Sequence, residues 1–197
     1  MPKDPDPEEY DKKVSLLQTL IVLFLIGYID LRFGDETAFT LVPNVPYGWI
    51  PKGEQRSISS QKGGNLNVFG LLNLDGKLTT YQTTASINSQ AIIDMLDNFA
   101  QSIDKITIIV LDNASWHISK AIKEKIEEWE KIGLFIFYLP PYSPHLNIIE
   151  ILWRKIKLEW LRPNDFLSKE HLHKAINLIL ENYNSGLHKI DFMTAKK

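Results

Sequence analysis

The sequence contains no cysteine, so this chain can form neither a disulfide nor a thiolate metal site. A reducing compartment fits that absence, and we expect the protein to be cytoplasmic. An excess of basic residues is also missing, because the formal net charge is −2 at pH 7. The chain as a whole therefore does not attract polyanions, and a nucleic acid would need a local basic patch to bind.

Long apolar runs are absent as well. The most apolar stretch, Leu20–Ile29, has ten residues, whereas a membrane-spanning helix needs about 20. No cluster of small residues that would mark a signal-peptide cleavage site follows it. We therefore expect no membrane partner, and we predict that this stretch belongs to a buried helix.

The length of 197 residues and the hydrophobic content of 44% are both typical of one globular domain. Periodicity predicts helices over residues 10–26, 89–102, 119–132, 147–161 and 168–183, and strands over residues 29–35, 65–74, 77–85, 106–111 and 134–139. Asp75-Gly76 predicts a hairpin between the second and third strands. A hairpin followed by alternating helices and strands predicts an α/β fold, with a mixed central sheet and helices on both faces.

This order of elements makes three acidic residues candidates for a functional site. Asp35 ends the first predicted strand on its apolar face, and Asp112 follows the first continuously apolar strand. Ligands of open α/β sheets gather at the carboxyl ends of strands. Glu150 lies in the first turn of a later helix, and the rigid segment Leu139–Pro144 before it forces a sharp turn back over the sheet. Converging carboxylates without cysteine favour a site for Mg²⁺ or Mn²⁺, two of which can clamp an in-line phosphoryl displacement.

Each of these residues also has a structural interpretation. Asp112 could cap a helix or form a turn, Glu150 could complement a helix dipole, and Asp35 could be a turn residue. Taken singly, the structural interpretation is favoured for each. Their joint position at strand ends favours the functional interpretation.

Three segments carry a resemblance to a known family: GDETAF at residues 34–39, VLDNASWH at residues 110–117 and LPPYSPHLNIIEILW at residues 139–153. They resemble the three motifs of DDE transposases of the mariner-like superfamily, and most closely its bacterial insertion-sequence branch. The similarity covers about residues 28–162 and includes GWIPKGE at residues 48–54.

The resemblance implies a ribonuclease-H-like fold with Asp35, Asp112 and Glu150 as catalytic ligands of two Mg²⁺ or Mn²⁺ ions. It implies DNA cleavage by metal-activated water, after which the freed 3′-hydroxyl attacks target DNA, commonly at TA. Transposon ends and target DNA would be the partners, and a homodimer on DNA is expected.

Some features differ from the family pattern. His145 stands where the family usually has Asp, and Ile148 where it has Pro; neither is a metal ligand, so we expect altered rigidity of the turn. The family also has helix-turn-helix domains before its catalytic core, whereas about 27 residues precede the first predicted strand here. We expect a helical lead-in at residues 1–27, a catalytic domain at residues 28–162 and a helical extension at residues 163–197. A separate DNA-binding chain could supply end recognition.

Basic residues on the last motif's helix are candidates for DNA binding. Arg154 and Lys157 share a face with Glu150, and we expect them to contact phosphates, whereas Lys155 and Arg162 are expected to be solvated. His117, which matches a histidine common in the family's second motif, and Asn113 are candidates to support the carboxylates. Structural roles for both, Asn113 as a turn or cap residue, stay open.

Three functions remain in competition. The first is a transposase catalytic domain for metal-dependent DNA cleavage and strand transfer. The second is a catalytically silent remnant or accessory subunit that binds DNA weakly or pairs with a longer transposase. The third is a structure-specific nuclease on the same fold, which would cut DNA without joining it. The intact carboxylates favour the first.

Overall fold

A computed structural model describes residues 6–42, 52, 64–114 and 117–186. Its α-helices are α1 (Pro7–Leu25), α2 (Ser89–Ala100), α3 (Lys120–Lys131), α4 (Ile148–Lys155) and α5 (Lys169–Asn184). Its strands are β1 (Asp30–Phe39), β2 (Leu66–Leu72), β3 (Leu78–Thr83), β4 (Thr107–Leu111) and β5 (Leu134–Tyr138). Short 3₁₀ turns cover Pro144–Leu146 and Pro163–Phe166, and a π-helical turn covers Ile156–Trp160. Nearly all of residues 48–54 lies outside the described residues.

The strands form a five-stranded sheet in the order β3-β2-β1-β4-β5. β2 is antiparallel to β1 and β3, whereas β4 is parallel to β1 and β5. The predicted hairpin is confirmed: Gly76, at φ +83°, donates from its backbone N–H to the carbonyl of Asn73 in the turn between β2 and β3. The expectation of a mixed sheet is therefore confirmed.

Helices cover both faces of this sheet, as the alternation of side chains along a strand requires. On one face, Phe69 and Leu71 of β2 pack with α2 and α3. On the other face, Val68 and Leu72 pack with α4 and α5. α1 covers the neighbouring part of that second face, over β1 and β4. Ser119 and Ser168 begin α3 and α5 by accepting hydrogen bonds from backbone N–H groups of the first turn.

The prediction that Leu20–Ile29 belongs to a buried helix is wrong for most of the side chains in that stretch. Leu17 and Phe24 of α1 are buried, but Val22 is 55% exposed and Leu25 is 58% exposed. The reason is geometric: apolar residues here surround the helix, and only one stripe of a helix can contact the sheet. Among the described helices, none is both long enough and apolar enough to span a membrane.

The last motif's helix also differs from the single helix predicted over residues 147–161. α4 ends at Lys155, and the chain continues as the π-helical turn Ile156–Trp160, in which Leu161 N–H donates to the carbonyl of Ile156 over 3.0 Å. A π turn inserts one extra residue into the hydrogen-bonding cycle, so it rotates the side chains that follow. Periodicity over so few residues does not reveal such an insertion.

Candidate metal-dependent active site

Asp35 lies in the middle of β1 rather than at its end, so the predicted strand end is wrong. β1 continues to Phe39 because β2 pairs with it over that whole length, and Asp35 is opposite Gly70. The parallel pairing with β4 stops earlier, at Phe33 and Val110. Asp35 therefore extends beyond the carboxyl end of β4, which leaves its side chain beside the residue that follows β4.

Asp112 is that residue, since β4 ends at Leu111. Its Oδ1 accepts a hydrogen bond from the backbone N–H of Ala114 over 3.0 Å and lies 2.7 Å from Nδ1 of His117. The hydrogen bond with His117 is the main reason that the pKa of Asp112 lies below its usual value, although partial burial opposes the shift. The carboxylate is thus held ionised at the end of the strand.

Glu150 occupies the first turn of α4, as predicted. The position of α4 depends on Gly70 of β2, because a Cβ atom there would lie 2.6 Å from Cζ2 of Trp153 and 2.8 Å from Cδ1 of Ile149. Because Gly70 has no side chain, α4 can lie directly on the sheet at this point. Gly70 is paired with Asp35 in the register of β1 and β2. Close packing at this point therefore brings Glu150 to the edge where Asp35 emerges.

The three carboxylates line two depressions that share Glu150. One, of about 350 Å³, is lined by Asp35 and Glu150 together with the basic residues Arg154 and Lys157. The other, of about 420 Å³, is lined by Asp112 and Glu150 together with amide and aromatic side chains. Within the described residues, no group of three or more His, Asp or Glu side chains lies close enough together to hold a metal ion.

The electrostatics show how strongly the acidic groups interact. Burial, together with the negative charges of Glu150, Glu36 and Asp112, raises the pKa of Asp35 from 3.8 to about 8. Burial and the charge of Asp112 also raise the pKa of Glu150, while Lys157 opposes that shift. An ionised Asp35 is therefore unfavourable at neutral pH without added positive charge.

His117 lies between two acidic side chains and is fully buried. Its Nδ1 is 2.7 Å from Oδ1 of Asp112, and its Nε2 is 3.1 Å from Oε2 of Glu36. Burial lowers the pKa of His117, but the hydrogen bonds with Asp112 and Glu36 outweigh it and raise the pKa to about 9. The protonated imidazole thus links Asp112, after β4, to Glu36 on β1. The hydroxyl of Tyr138 donates to the carbonyl of His117 over 2.7 Å and fixes the loop.

Glu36 also belongs to this cluster, through its contact with His117, although the sequence analysis did not single it out. It follows Asp35 in the same strand, so the two side chains point to opposite sides of the sheet. Two adjacent acidic residues inside a strand are a signal that a cation or a protonated base lies close by, because strands disfavour uncompensated charge.

Two asparagines connect the motifs to one another. Asn113 donates from Nδ2 to the carbonyl of Leu139 over 2.5 Å, which joins the loop after β4 to the end of β5. Asn147 stands at the N-cap position of α4 but makes no side-chain cap hydrogen bond. Its Nδ2 instead donates to the carbonyl of Gly34 over 3.1 Å. Within the described residues, both asparagine side chains donate to distant carbonyls, and neither makes a capping hydrogen bond.

The turn before α4 also contacts the first helix. Nε2 of His145 lies 3.0 Å from the hydroxyl of Tyr10, and Nζ of Lys13 donates to the carbonyl of Leu139 over 3.5 Å. α1 therefore supports the segment that carries Glu150 into place. His145 thereby has a contact within the fold at a position where it differs from the family pattern.

The two basic residues expected to bind DNA both line the depression of Asp35 and Glu150. Lys157 lies in the π-helical turn, partly buried, with Nζ 5.7 Å from the centroid of the Phe39 ring. Burial lowers the pKa of Lys157, and the charges of Asp35 and Glu150 oppose that shift. Arg154 is exposed at the rim. Lys155 is half-buried and pairs with Glu159 at 3.1 Å.

Comparison with known proteins places this geometry in a family. The family model described as "DDE superfamily endonuclease" matches residues 30–173. A curated relative, an uncharacterized protein of Sinorhizobium fredii (strain NBRC 101917 / NGR234), is 29% identical over 76 residues. That match covers 38% of this chain and 52% of the relative, so the chain spans about half of that protein.

Solved structures of the Mos1 mariner transposase resemble the whole described fold. The paired-end complex with Mn is 17% identical, with a TM-score of 0.62, over 97% of this chain and 62% of that one. The isolated Mos1 catalytic domain is 15% identical, with a TM-score of 0.56, over 97% of this chain and 92% of that one. At these identities the likeness shows the fold, and it confirms the ribonuclease-H-like architecture. The family match covers most of the chain, which therefore belongs to the DDE superfamily endonucleases.

Proposed function

We propose that this chain is the catalytic domain of a transposase, which cleaves DNA with divalent metal ions and joins the freed 3′ ends to target DNA. The observation that carries the proposal is the placement of Asp35, Asp112 and Glu150, from three separate elements, around two depressions that share Glu150. Membership of the DDE superfamily endonucleases supports the same chemistry. The structural neighbours include a Mos1 strand transfer complex, although this chain spans 57% of that chain.

The residues fit Mg²⁺ or Mn²⁺, in that the donors are carboxylate oxygens and Asp35 is unfavourable as an anion unless positive charge is added. Oδ1 of Asp112 is engaged by His117 and Ala114, whereas Oδ2 makes no hydrogen bond within the described residues and is available to a cation. Bound there, the ions would supply Lewis acidity, which ionises water and neutralises charge on phosphate oxygens.

The chain's own residues then have distinct tasks. Lys157 and Arg154 lie beside Asp35 and Glu150, where they would hold the phosphodiester by charge. His117, protonated between Asp112 and Glu36, would keep Asp112 ionised and oriented. The hydrogen bond from Asn147 to the carbonyl of Gly34 would keep the start of α4 in a fixed position relative to β1.

We also propose that the DNA partners are transposon ends and a target, with TA as the expected target site, and that two copies act together on paired ends. A separate DNA-binding chain or region would recognise the ends. Light scattering of the chain with and without DNA would test the dimer: a mass that doubles on DNA supports it, and one chain per duplex contradicts it.

A joining assay separates the competing functions. The wild-type chain is incubated with Mn²⁺, supercoiled plasmid and a labelled duplex that has free 3′-hydroxyl ends of random sequence. Label that migrates with the plasmid, and that Glu150→Gln abolishes, supports the transposase. The matched control is Glu127→Gln, an exposed acid on α3 away from the site.

Two other outcomes would contradict the proposal in different ways. Plasmid cutting without joined label would identify a nuclease on the same fold. Neither cutting nor joining by a folded wild-type chain would identify a silent remnant or an accessory subunit. Circular dichroism and a cooperative thermal transition establish that each variant is folded.

A further inference from the structure

Tyr142 has an unusual backbone conformation. Its φ is +56°, and among the described residues it is the non-glycine residue with positive φ. L-residues with a side chain adopt this left-handed region at a cost, and bulky ones rarely do so. The side chain is 69% exposed, so burial of the ring does not explain why a tyrosine stands there.

The turn holds Tyr142 firmly on both sides. Pro141 precedes it with a fixed φ, and Ser143 follows it, buried, with its hydroxyl donating to the carbonyl of Pro141 over 3.2 Å. The carbonyl of Ser143 accepts from the N–H of Leu146 over 3.0 Å, which closes the next turn. The aromatic ring is therefore presented to solvent from a rigid support.

Tyr142 lines the depression of about 420 Å³ that Asp112 and Glu150 also line. The other lining residues are Asn113, Ala114, Leu139, Pro140, Pro141, Ser143, Pro144 and Asn147. No lysine or arginine is among them, whereas the neighbouring depression of about 350 Å³ has both Arg154 and Lys157. The second depression therefore offers a phosphate no basic side chain, while its aromatic, proline and amide groups suit a neutral, flat, polar molecule.

We propose that Tyr142 is a stacking platform for an unpaired nucleobase next to the scissile phosphate, an inference that rests on the proposed action on DNA. The phosphodiester would lie with Lys157 and Arg154, and the adjacent base would leave the duplex and lie on the ring. Stacking on an aromatic side chain tolerates any base, because every base has a π face. Enzymes that modify a base take its nucleotide out of the stack at a cost of only about a few kcal/mol, which protein contacts can supply.

The test uses the full chain and a duplex with a short single-stranded overhang that contains 2-aminopurine, in Ca²⁺ to limit cleavage. Stacking quenches the fluorescence of 2-aminopurine, so we expect quenching by the wild type, by Tyr142→Phe and by Tyr142→Trp. Tyr142→Gly should abolish quenching and weaken binding of the overhang duplex about tenfold. Binding of a fully paired duplex should change less than twofold. The control, Tyr28→Ala, removes an exposed tyrosine just before β1 and should behave as wild type.

Thermal stability separates this role from a structural one. Glycine adopts φ +56° without strain, so Tyr142→Gly should melt at the same temperature as the wild type or higher. A structural role for the ring predicts a lower melting temperature, and that result would overturn the proposal.

Failure of the stacking proposal and failure of the proposed function would give different experimental results. If the wild type nicks plasmid and binds paired duplex, and Tyr142→Gly quenches 2-aminopurine as strongly as the wild type does, only the stacking proposal is overturned. If a folded wild type neither nicks plasmid nor binds any DNA, the proposed function fails and the stacking proposal fails with it. Reduced self-association of Tyr142→Gly with normal quenching would assign the ring to a protein contact and would also overturn the proposal.

Discussion

Asn147 donates a hydrogen bond of 3.1 Å from Nδ2 to the backbone carbonyl of Gly34. The donor stands at the start of α4, three residues before Glu150, and the acceptor directly precedes Asp35. The side chain of Asn147 is 3% exposed, so the bond is shielded from water. One buried bond thus couples the positions of two proposed metal ligands that are distant in sequence.

Loss of the hydrogen bond from Asn147 to Gly34 should raise the metal concentration that nicking requires, beyond what a loss of stability alone would cause. Asn147→Ala leaves a buried carbonyl without its donor, so we expect a loss of stability of about 1–3 kcal/mol and a raised requirement for Mn²⁺ in plasmid nicking. The control is Asn88→Ala, because Asn88 is a true cap whose Oδ1 accepts from Ala91 N–H. Asn88→Ala should lose about 1 kcal/mol without a change in the Mn²⁺ requirement. Urea unfolding and Mn²⁺ titrations measure the two effects, and equal Mn²⁺ requirements in the two variants would contradict this role of the hydrogen bond.

His117 gives stability a pH dependence with a definite sign. Its folded-state pKa is about 9, above the ordinary 6.5, so its contribution is complete below pH 6.5 and is lost as pH rises through 9. We expect His117→Gln to lower the free energy of unfolding on the order of 1–3 kcal/mol at about pH 6 and by less at about pH 9.5. Urea unfolding at both pH values measures this difference, with the exposed His171→Gln as control. A loss that is equal at both pH values would count against the charged bridge.

Asp35 should couple metal binding to pH. Its pKa is raised to about 8, so near pH 6.5 the folded protein holds a proton that a cation must displace. The apparent Mg²⁺ affinity should therefore rise about tenfold per pH unit up to about pH 8 and level off above it. Thermal shifts at a series of Mg²⁺ concentrations measure the affinity without any need for catalysis. Asp35→Asn should remove both the shift and its pH dependence; a wild-type shift that is the same at both ends of this range would refute the coupling.

Gly70 should be required for the position of α4. Gly70→Ala places a Cβ atom 2.6 Å from Trp153, closer than such contacts normally occur, so α4 must move outward. We expect a loss of about 1–3 kcal/mol and a marked loss of nicking, because Glu150 moves with α4. Gly27→Ala is the matched control: φ +77° strains any side chain there, but nothing lies within 4 Å of the new atom. It should lose about 1 kcal/mol and retain nicking. Full activity in Gly70→Ala would show that α4 tolerates the shift.

Lys157 should contribute to DNA affinity through charge. Lys157→Met keeps an apolar stem against Phe39 but removes the ammonium group, so binding should weaken similarly for all sequences. The slope of log affinity against log salt should decrease by about one. Lys155→Met is the control, since Lys155 pairs with Glu159. Fluorescence anisotropy across a salt series measures the slopes; an unchanged slope for Lys157→Met would exclude a phosphate contact.

The parts of this fold that sequence reasoning predicted are those governed by local periodicity and turn chemistry. The apolar run that became β4, the Asp75-Gly76 hairpin and the proline-rich turn before Glu150 each carry a strong local signal. These features position Asp112 and Glu150, so the carboxylates could be found without the structure.

Features governed by long-range contacts could not be predicted. Asn147 has the sequence position of a cap, but a carbonyl more than a hundred residues away is its partner. Glu36 belongs to the cluster because His117 lies across the sheet edge from it. β1 extends past Asp35 because β2 continues to pair with it, and no local pattern encodes the length of a neighbouring strand.

Nicking of supercoiled plasmid in Mn²⁺ tests the central claim most directly. The wild type is compared with Asp112→Asn, which removes a carboxylate next to Glu150, and with Asp104→Asn, which removes an exposed one before β4. Nicking by the wild type and by Asp104→Asn that Asp112→Asn abolishes is the predicted result. Equal nicking by all three chains, or none by a folded wild type, would contradict a metal-dependent active site at these carboxylates.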